Sequence, residues 1–270
     1  MTQETQKSFF DREGYLILEG LLSPQELRTC NDEIDRLHAL AADMEARGQA
    51  TADFQREPFA GDARRPDGLP ILRKVEQTWK YSPFLDDISR KPRLIKTVQS
   101  LIGDDVLRFR STLMLKPAFH GSTHRFHQDS SYWPIDPPRL VTVSIALNDA
   151  TPENGCLQVI PRSHEWGLQD WGTIAAEKDS SMTPRTDIDT STARHIPLKA
   201  GTALLFHSLT VHGSGPNESP RPRHTALYAY FSPHVRYVPG PGQPRSITYP
   251  VVGGLGGQNQ FTLTADEAPS

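Results

Sequence analysis

The sequence changes character at Gly103, and this change constrains the fold more than any other feature. Beyond it the apolar stretches are short and rich in β-branched and aromatic residues, as in VLRFRSTLML, LVTVSIAL, CLQVI, TALLF and TALYAYF. Turn clusters such as TPENG and GSGPNESPRP separate them. Short strands divided by turns are typical of a β-barrel or a β-sandwich. We therefore predict a barrel core over residues 104–250, followed by a tail over residues 251–270.

Residues 1–103 have a helical pattern that is expected to support this core. Ser23 and Glu26 form a capping-box pattern, with Pro24 at the first helical position. An apolar stripe at three- and four-residue spacing follows over residues 27–44, and Gly48 ends it. The other predicted elements are a strand at 15–18, a surface loop or lid at 49–68, two short helices within 82–101 and a long polar insertion at 167–195.

The bulk composition excludes several classes of protein. A length of 270 residues suits one large domain or two small ones with a hydrophobic core, and a net charge of -3 does not suggest a nucleic-acid-binding protein. Two cysteines give no disulfide scaffold, and the N-terminus MTQETQKSFFDREG is too polar for a signal peptide. No apolar run approaches the roughly 20 residues that a membrane span needs. We expect a single-domain cytoplasmic protein.

The pattern that carries chemistry begins with His127, Gln128 and Asp129. On a strand, residues i and i+2 project from the same face, so His127 and Asp129 can bind one metal ion. Two histidines and one carboxylate on one face leave further coordination positions open, as non-haem iron oxygenases require. The tripeptide alone is equally consistent with a surface histidine beside an aspartate.

A third metal ligand must come from elsewhere, and His212 is the best candidate. It follows an apolar strand, and two nearby glycines allow close approach of the backbone. Arg223 lies eleven residues further on, where its guanidinium fork suits a dicarboxylate cosubstrate, and Ser214 adds a hydroxyl donor. The rival is His207 at the end of TALLF, which we interpret as a structural histidine.

Four segments carry a family resemblance that extends over most of the chain: FFDREGYLILEGLLSPQEL, FHQD, NDATPENGCLQVIPRSH and LLFHSLTVHGSGPNESPRPR. They are similar to the phytanoyl-CoA dioxygenase family, which includes ectoine hydroxylases and many natural-product oxygenases. The resemblance implies an α+β fold with a mainly β core, a double-stranded β-helix or jelly roll of the cupin type with helices of the N-terminal third packed on it. It also implies an enzyme that uses Fe(II), 2-oxoglutarate and O2.

The resemblance further implies roles for individual residues. His127, Asp129 and His212 are the implied iron ligands, and Arg223 and Ser214 the implied contacts of 2-oxoglutarate. The implied reaction hydroxylates or otherwise oxidises an unactivated C–H bond of a small metabolite, with release of succinate and CO2. Related halogenases lack the carboxylate ligand, so Asp129 argues for hydroxylation or a related oxidation.

Other positions have weaker indications. Thr112 falls near a position where the family often contacts the cosubstrate, whereas Ser144 stands where the family often has a tryptophan. Tyr132 and Trp133 follow the metal strand, in a segment that often lines the substrate pocket of the family, and core packing explains them equally well. His120 and His124 precede the metal strand and could face the pocket, but a solvated loop is the commoner case. His234 and Arg236 could meet an anionic group of the substrate, and we prefer a solvated loop for them as well.

Two other functions are compatible with the sequence. A barrel of the same shape with a catalytic zinc would be a hydrolase or an isomerase, since zinc accepts the same ligand types, but Arg223 has no obvious role there. A protein that binds 2-oxoglutarate without catalysis is the second, and the complete ligand set argues against it. Metal analysis and succinate release separate these functions from the oxygenase. The sequence indicates neither the substrate nor the oligomeric state.

Overall fold

A computed structural model describes residues 3–171, 176–177, 185 and 187–265. Within these residues the α-helices lie in the first third of the chain: α1 Gln3–Glu13, α2 Pro24–Ala46, α3 Pro83–Ser89 and α4 Pro92–Ile102. The strands are β1 Tyr15–Leu18, β2 Phe54–Arg56, β3 Leu72–Glu76, β4 Val106–Lys116, β5 Thr123–His127, β6 Ile135–Asp136, β7 Leu140–Ala146, β8 Leu157–Val159, β9 Ala176–Glu177, β10 Arg194–His195, β11 Ala203–His207, β12 His212–Ser214, β13 Arg223–Phe231, β14 Arg236–Tyr237, β15 Ser246–Gly253 and β16 Gln260–Thr264. None of the described helices is long and apolar enough to cross a membrane.

Two antiparallel sheets form the core. The major sheet has the order β1-β11-β7-β13-β4-β15-β16, with β3 also paired to β4 and β2 paired to β3. The minor sheet has the order β10-β8-β12-β5-β9, and β14 pairs with β6 separately. This arrangement, with helices from the N-terminal third packed on it, confirms the jelly-roll fold predicted from the sequence.

The helices cover one face of the major sheet. Helix α2 begins as predicted, because Ser23 and Glu26 form a complete capping box, and its stripe of Cys30, Ile34, Leu37 and Ala41 is buried. This stripe belongs to one apolar cluster with Val75, Leu113, Val143 and Ala226 of the sheet. Because side chains alternate along a strand, the residues between these apolar ones face the opposite side, where the cavity lies.

Several local predictions are confirmed and others need correction. The strand at 15–18 and the two helices within 82–101 are present. Residues 49–68 are not merely a surface loop, because β2 pairs with β3 and Glu57 is buried. Residues 246–253 and 260–264 form a hairpin on the edge of β4, so the segment expected as a tail contains strands. Much of the insertion at 167–195 lies outside the described residues.

Candidate metal centre

A cavity of about 880 Å³ lies between the two sheets and holds the residues of the predicted metal site. His127 is the last residue of β5, and it is paired in register with His212, the first residue of β12. Asp129 begins a short 3-10 turn after β5 instead of continuing the strand. One ligand atom from each of the three side chains lies within 4.8 Å of the others. The structure therefore brings the three predicted ligands together.

The two histidines are held with the same ring nitrogen facing the centre. Nδ1 of His127 lies 2.8 Å from the carbonyl oxygen of Arg125, and Nδ1 of His212 lies 2.9 Å from that of Thr210. A carbonyl oxygen only accepts, so each Nδ1 donates, and Nε2 is the ring nitrogen left for a metal ion. Burial, with His127 beside it, lowers the pKa of His212 to about 4, so this imidazole is neutral at neutral pH.

The carboxylate between them is ionised and oriented. Burial alone would raise the pKa of Asp129, but His212, His127 and the Thr142 hydroxyl outweigh this effect and hold that pKa below its usual range. Thr142 Oγ1 donates to Oδ2 at 2.6 Å, while Oδ1 lies 3.5 Å from Nε2 of His127 and 3.7 Å from Nε2 of His212. Two imidazoles and one carboxylate fit a borderline divalent metal ion such as Fe(II).

Arg223 lines the same cavity as a buried cation. Its Nε donates to the carbonyl oxygen of Gly155 at 3.1 Å, and its Nη1 donates to Thr225 Oγ1 at 2.9 Å. Burial lowers its pKa to about 10, which leaves the guanidinium charged at neutral pH. A buried cation held only by neutral groups of the described residues is costly unless an anion joins it. The site is therefore suited to a carboxylate ligand.

The other predicted cosubstrate contacts lie around the same cavity. Ser214 is buried and lines it beyond His212 on β12. Thr112 also lines it, but its hydroxyl already donates to Glu76 at 2.7 Å. Ser144, at the position where the family often has a tryptophan, lies in register with Leu227 and lines the cavity.

The aromatic pair after the metal strand lies at the cavity. Both Tyr132 and Trp133 line it, and the ring of Tyr132 is 6.1 Å from that of His127. Trp133 packs against Phe109 with ring centroids 4.8 Å apart. Trp133 thus both packs against Phe109 and lines the cavity, whereas Tyr132 is 37% exposed.

His207, the rival ligand, lies away from the centre. Its Nδ1 accepts from the backbone N–H of Leu209 at 3.0 Å, and its ring is 5.6 Å from that of His164. It does not line the cavity. The structure therefore agrees with the interpretation of His207 as a structural histidine.

His124 was expected in a solvated loop, and this was wrong. It belongs to β5 and lines the cavity, because a shift in register pairs His212 with His127 but Ser214 with His124. Burial lowers its pKa well below the usual value, so its Nε2 is available to accept from Arg73 at 3.1 Å. By contrast His234 and Arg236 are exposed, and His120 does not line the cavity.

Sequence reasoning missed a set of charged residues on the cavity wall. Lys74 and Glu76 lie on β3 and Arg110 lies on β4, and all three line the cavity. Within LRKVE the signal was present as two charges at two-residue spacing, whereas in RFRST the spacing misleads, because Arg108 is buried against Asp86 and only Arg110 lines the cavity. Such alternation normally indicates a solvated face, and only the pairing of β3 with β4 shows that this face is internal.

Comparison with known proteins points to one family. A model of the phytanoyl-CoA dioxygenase (PhyH) family matches residues 10–225. The chain is 31% identical to the ectoine dioxygenase of Nocardia farcinica over 243 residues, which cover 84% of this chain and 77% of that protein. It is 23% identical to the peroxisomal phytanoyl-CoA dioxygenase of Rattus norvegicus, over 86% of this chain and 69% of that protein.

Comparison with solved structures also finds oxygenases with a similar fold. The crystal structure of EctD from S. alaskensis with 2-oxoglutarate and 5-hydroxyectoine has a TM-score of 0.62 and 26% identity, over 86% of this chain and 77% of that chain. The apo non-heme monooxygenase ThoJ has a TM-score of 0.70 over 98% of this chain and 88% of that chain. Its identity is 23%, so this second likeness concerns the fold alone.

Proposed function

Since this chain belongs to the phytanoyl-CoA dioxygenase family and is an Fe(II)- and 2-oxoglutarate-dependent dioxygenase, we propose that it oxidises an unactivated C–H bond of a small metabolite, with His127, Asp129 and His212 as the iron ligands. Succinate and CO2 are the co-products, and hydroxylation is the default outcome. The observation that carries this proposal is the cluster of two imidazoles and one carboxylate with ligand atoms within 4.8 Å. Iron and 2-oxoglutarate supply the activation of O2, and the protein supplies geometry and charge.

In this proposal the residues around the ligands fix their orientation. The carbonyl oxygens of Arg125 and Thr210 keep the protons of His127 and His212 on Nδ1. The Thr142 hydroxyl holds one oxygen of the carboxylate and so turns the other towards the metal position. Partners of this kind raise the affinity of a site for its metal because the ligands do not have to be ordered on binding.

Arg223 and Ser214 are proposed to bind the distal carboxylate of 2-oxoglutarate. The support is the burial of Arg223 in an environment of neutral acceptors, since a carboxylate would neutralise this cation. Thr112 is proposed to border the cosubstrate through its methyl group, because its hydroxyl is engaged by Glu76. Tyr132 and Trp133 are proposed to contact the substrate, which would exclude water from the reacting carbon.

We further propose that the chain works in a reducing compartment, with the cytoplasm as the simplest place. Cys30 and Cys156 are both free and buried, and neither belongs to the metal centre. Burial raises the pKa of both thiols, which suppresses their reactivity.

The decisive experiment for the reaction class uses the purified chain with Fe(II) and 2-oxoglutarate. We expect O2 consumption and succinate release that depend on Fe(II) and that Zn(II) does not support. A chain that binds 2-oxoglutarate and iron but releases no succinate with any candidate metabolite would favour the non-catalytic alternative. Activity with Zn(II) but not with Fe(II) would favour the hydrolase or isomerase.

A further inference from the structure

The cavity carries more positive than negative charge, although the chain as a whole has a net charge of -3. The charged side chains that line it are four cations, Arg73, Lys74, Arg110 and Arg223, and two carboxylates, Glu76 and Asp129. Bound Fe(II) and 2-oxoglutarate would add opposite charges that cancel. An excess of two positive charges therefore remains for the substrate to meet.

A shift in strand register directs two adjacent cations into this cavity. Gln55 pairs with Lys74 but Arg56 pairs with Leu72, so Arg73 is the extra residue of β3. Leu72 packs in the apolar cluster under the helices, whereas Arg73 and Lys74 both line the cavity. Bulges beside active sites commonly re-aim side chains in this way.

Glu76 has no capacity left to neutralise a further cation. Its carboxylate accepts from Thr112 Oγ1 at 2.7 Å, from Lys74 Nζ at 2.5 Å and from both Nε and Nη2 of Arg110. Burial alone would raise the pKa of Glu76, but Arg110 and Lys74 outweigh this effect and lower it to about 2. The single ionised carboxylate of Glu76 thus pairs with two cations, Lys74 and Arg110.

Arg110 is fixed by hydrogen bonds that leave some of its N–H donors unused. The described hydrogen bonds engage its Nε and Nη2, and none from the described part of the chain engages its Nη1. The side chain is 30% exposed, so the free edge of the guanidinium is accessible from the cavity. A guanidinium offers only donors and pairs best with groups that only accept, such as a carboxylate or a phosphate.

The position of Arg110 relative to the metal ligands suits a small molecule. Arg110 pairs with Ala229, and Ala229 pairs with Thr142, whose hydroxyl is 2.6 Å from Asp129. Two strand spacings separate the backbones of Arg110 and Thr142 by roughly 10 Å. Phe109, Trp133 and Leu227 give the cavity apolar side chains as well.

We propose that the substrate carries a carboxylate or phosphate group that binds Arg110, supported by the charge of Lys74, and an apolar portion that lies along Phe109 and Trp133. This inference rests on the proposed function, because the oxidised carbon would lie between the anionic anchor and the metal ligands. Glu76 is a positioning residue in this scheme, since it fixes the guanidinium without touching the substrate.

Calorimetric titration of the full chain, loaded with Mn(II) and saturated with 2-oxoglutarate, measures binding without turnover. The anionic probes are 3-phenylpropionate and phenethyl phosphate, and their neutral partners are 3-phenylpropionamide and 2-phenylethanol. We expect each anion to bind about tenfold more tightly than its neutral partner, since hydrogen bonds to charged groups are stronger than neutral ones. The anion with the larger preference identifies the group as carboxylate or phosphate.

Variants assign the preference to Arg110. Arg110→Gln should lose the tenfold preference while its affinity for the neutral probes and for 2-oxoglutarate stays unchanged, and Arg110→Lys should restore part of it. The matched control is Arg236→Gln, because Arg236 also pairs with a carboxylate, Asp136, but lies on the surface outside the cavity. This control should keep the full preference.

Three results would overturn the inference. They are equal binding of anions and neutral probes, no binding of either anion up to millimolar concentrations, and an undiminished preference in Arg110→Gln. A wild-type chain that binds no 2-oxoglutarate in the same titration would overturn the proposed function instead, so the two failures are distinguishable.

Discussion

At the scale of single residues, Thr142 links the major sheet to the metal centre. It belongs to β7 and donates to Asp129 from the opposite wall of the cavity. We predict that Thr142→Val lowers the affinity for Fe(II) by about tenfold or more, because partners that orient a ligand typically contribute this much. Thr142→Ser keeps the hydroxyl and should retain most of the affinity. Anaerobic Fe(II) titration measures the change, and wild-type affinity in the valine variant would contradict it.

Arg223 gives a second prediction at this scale. Arg223→Gln should raise the Kd for 2-oxoglutarate by at least about thirtyfold, since truncating one partner of a buried charge pair costs about 2 kcal/mol or more. Arg223→Lys keeps the positive charge but not the two-pronged guanidinium. Its Kd for 2-oxoglutarate should lie between those of the wild type and the glutamine variant. Calorimetry with the Mn(II)-loaded chain measures both. An unchanged Kd in the glutamine variant, with iron binding intact, would remove Arg223 from the cosubstrate site.

The residues that the sequence predicts and those that it misses differ in a physical way. His127, Asp129 and His212 belong to a spaced pattern of rare residue types, so the pattern itself carries the information. Lys74 and Arg110 are ordinary charged residues in strands, and nothing local distinguishes a cavity wall from a solvated face. Their role depends on which strands pair, and that is set by the whole sheet.

At the scale of elements, the capping box of α2 is a local signal that transfers directly to the structure. Ser23 accepts from the N–H of Glu26, whose carboxylate accepts from the N–H of Ser23. We predict that Ser23→Ala lowers the free energy of unfolding by about 1 kcal/mol, the usual contribution of such a cap. Urea unfolding measures this, and the affinity for Fe(II) should not change. A variant as stable as wild type would show that the cap is dispensable.

The hairpin β15–β16 shows where element prediction fails. Its strands contain Pro250 and Gly253, which weaken a strand pattern. The hairpin is nevertheless held by Tyr249, Val251 and Leu263, which are buried in one cluster with Phe231 of β13. Only the contact with a strand from another part of the chain explains why this segment is ordered.

We predict that Leu263→Ala destabilises the chain by about 2–4 kcal/mol, because it removes a buried side chain from this cluster. Thr262→Ala on the exposed face of the same strand is the matched control and should cost much less. Urea unfolding compares the two. Equal effects would indicate that the hairpin is not packed as described.

At the scale of the whole molecule, buried neutral histidines make stability depend on pH. Burial, with His164 beside it, lowers the pKa of His207 from 6.5 to about 4. Between these two pH values the unfolded chain therefore binds more protons at His207 than the folded chain does. The contribution of His207 to the free energy of unfolding is fully present above pH 6.5 and is lost as the pH falls towards 4. We predict a lower free energy of unfolding at about pH 5 than at neutral pH in the metal-free chain, and a smaller loss in His207→Asn. An identical pH dependence in this variant would show that His207 does not contribute.

The central claim concerns the identity of the metal ligands, and one anaerobic measurement tests it. Iron retention and the visible charge-transfer band with 2-oxoglutarate are compared in the alanine variants of His127, Asp129, His212 and His207. We predict that the first three variants lose iron and the band, because each removes one atom of the cluster within 4.8 Å. His207→Ala should keep both, because its ring lies outside the cavity. If His207→Ala loses iron while His212→Ala retains it, the proposed centre is wrong.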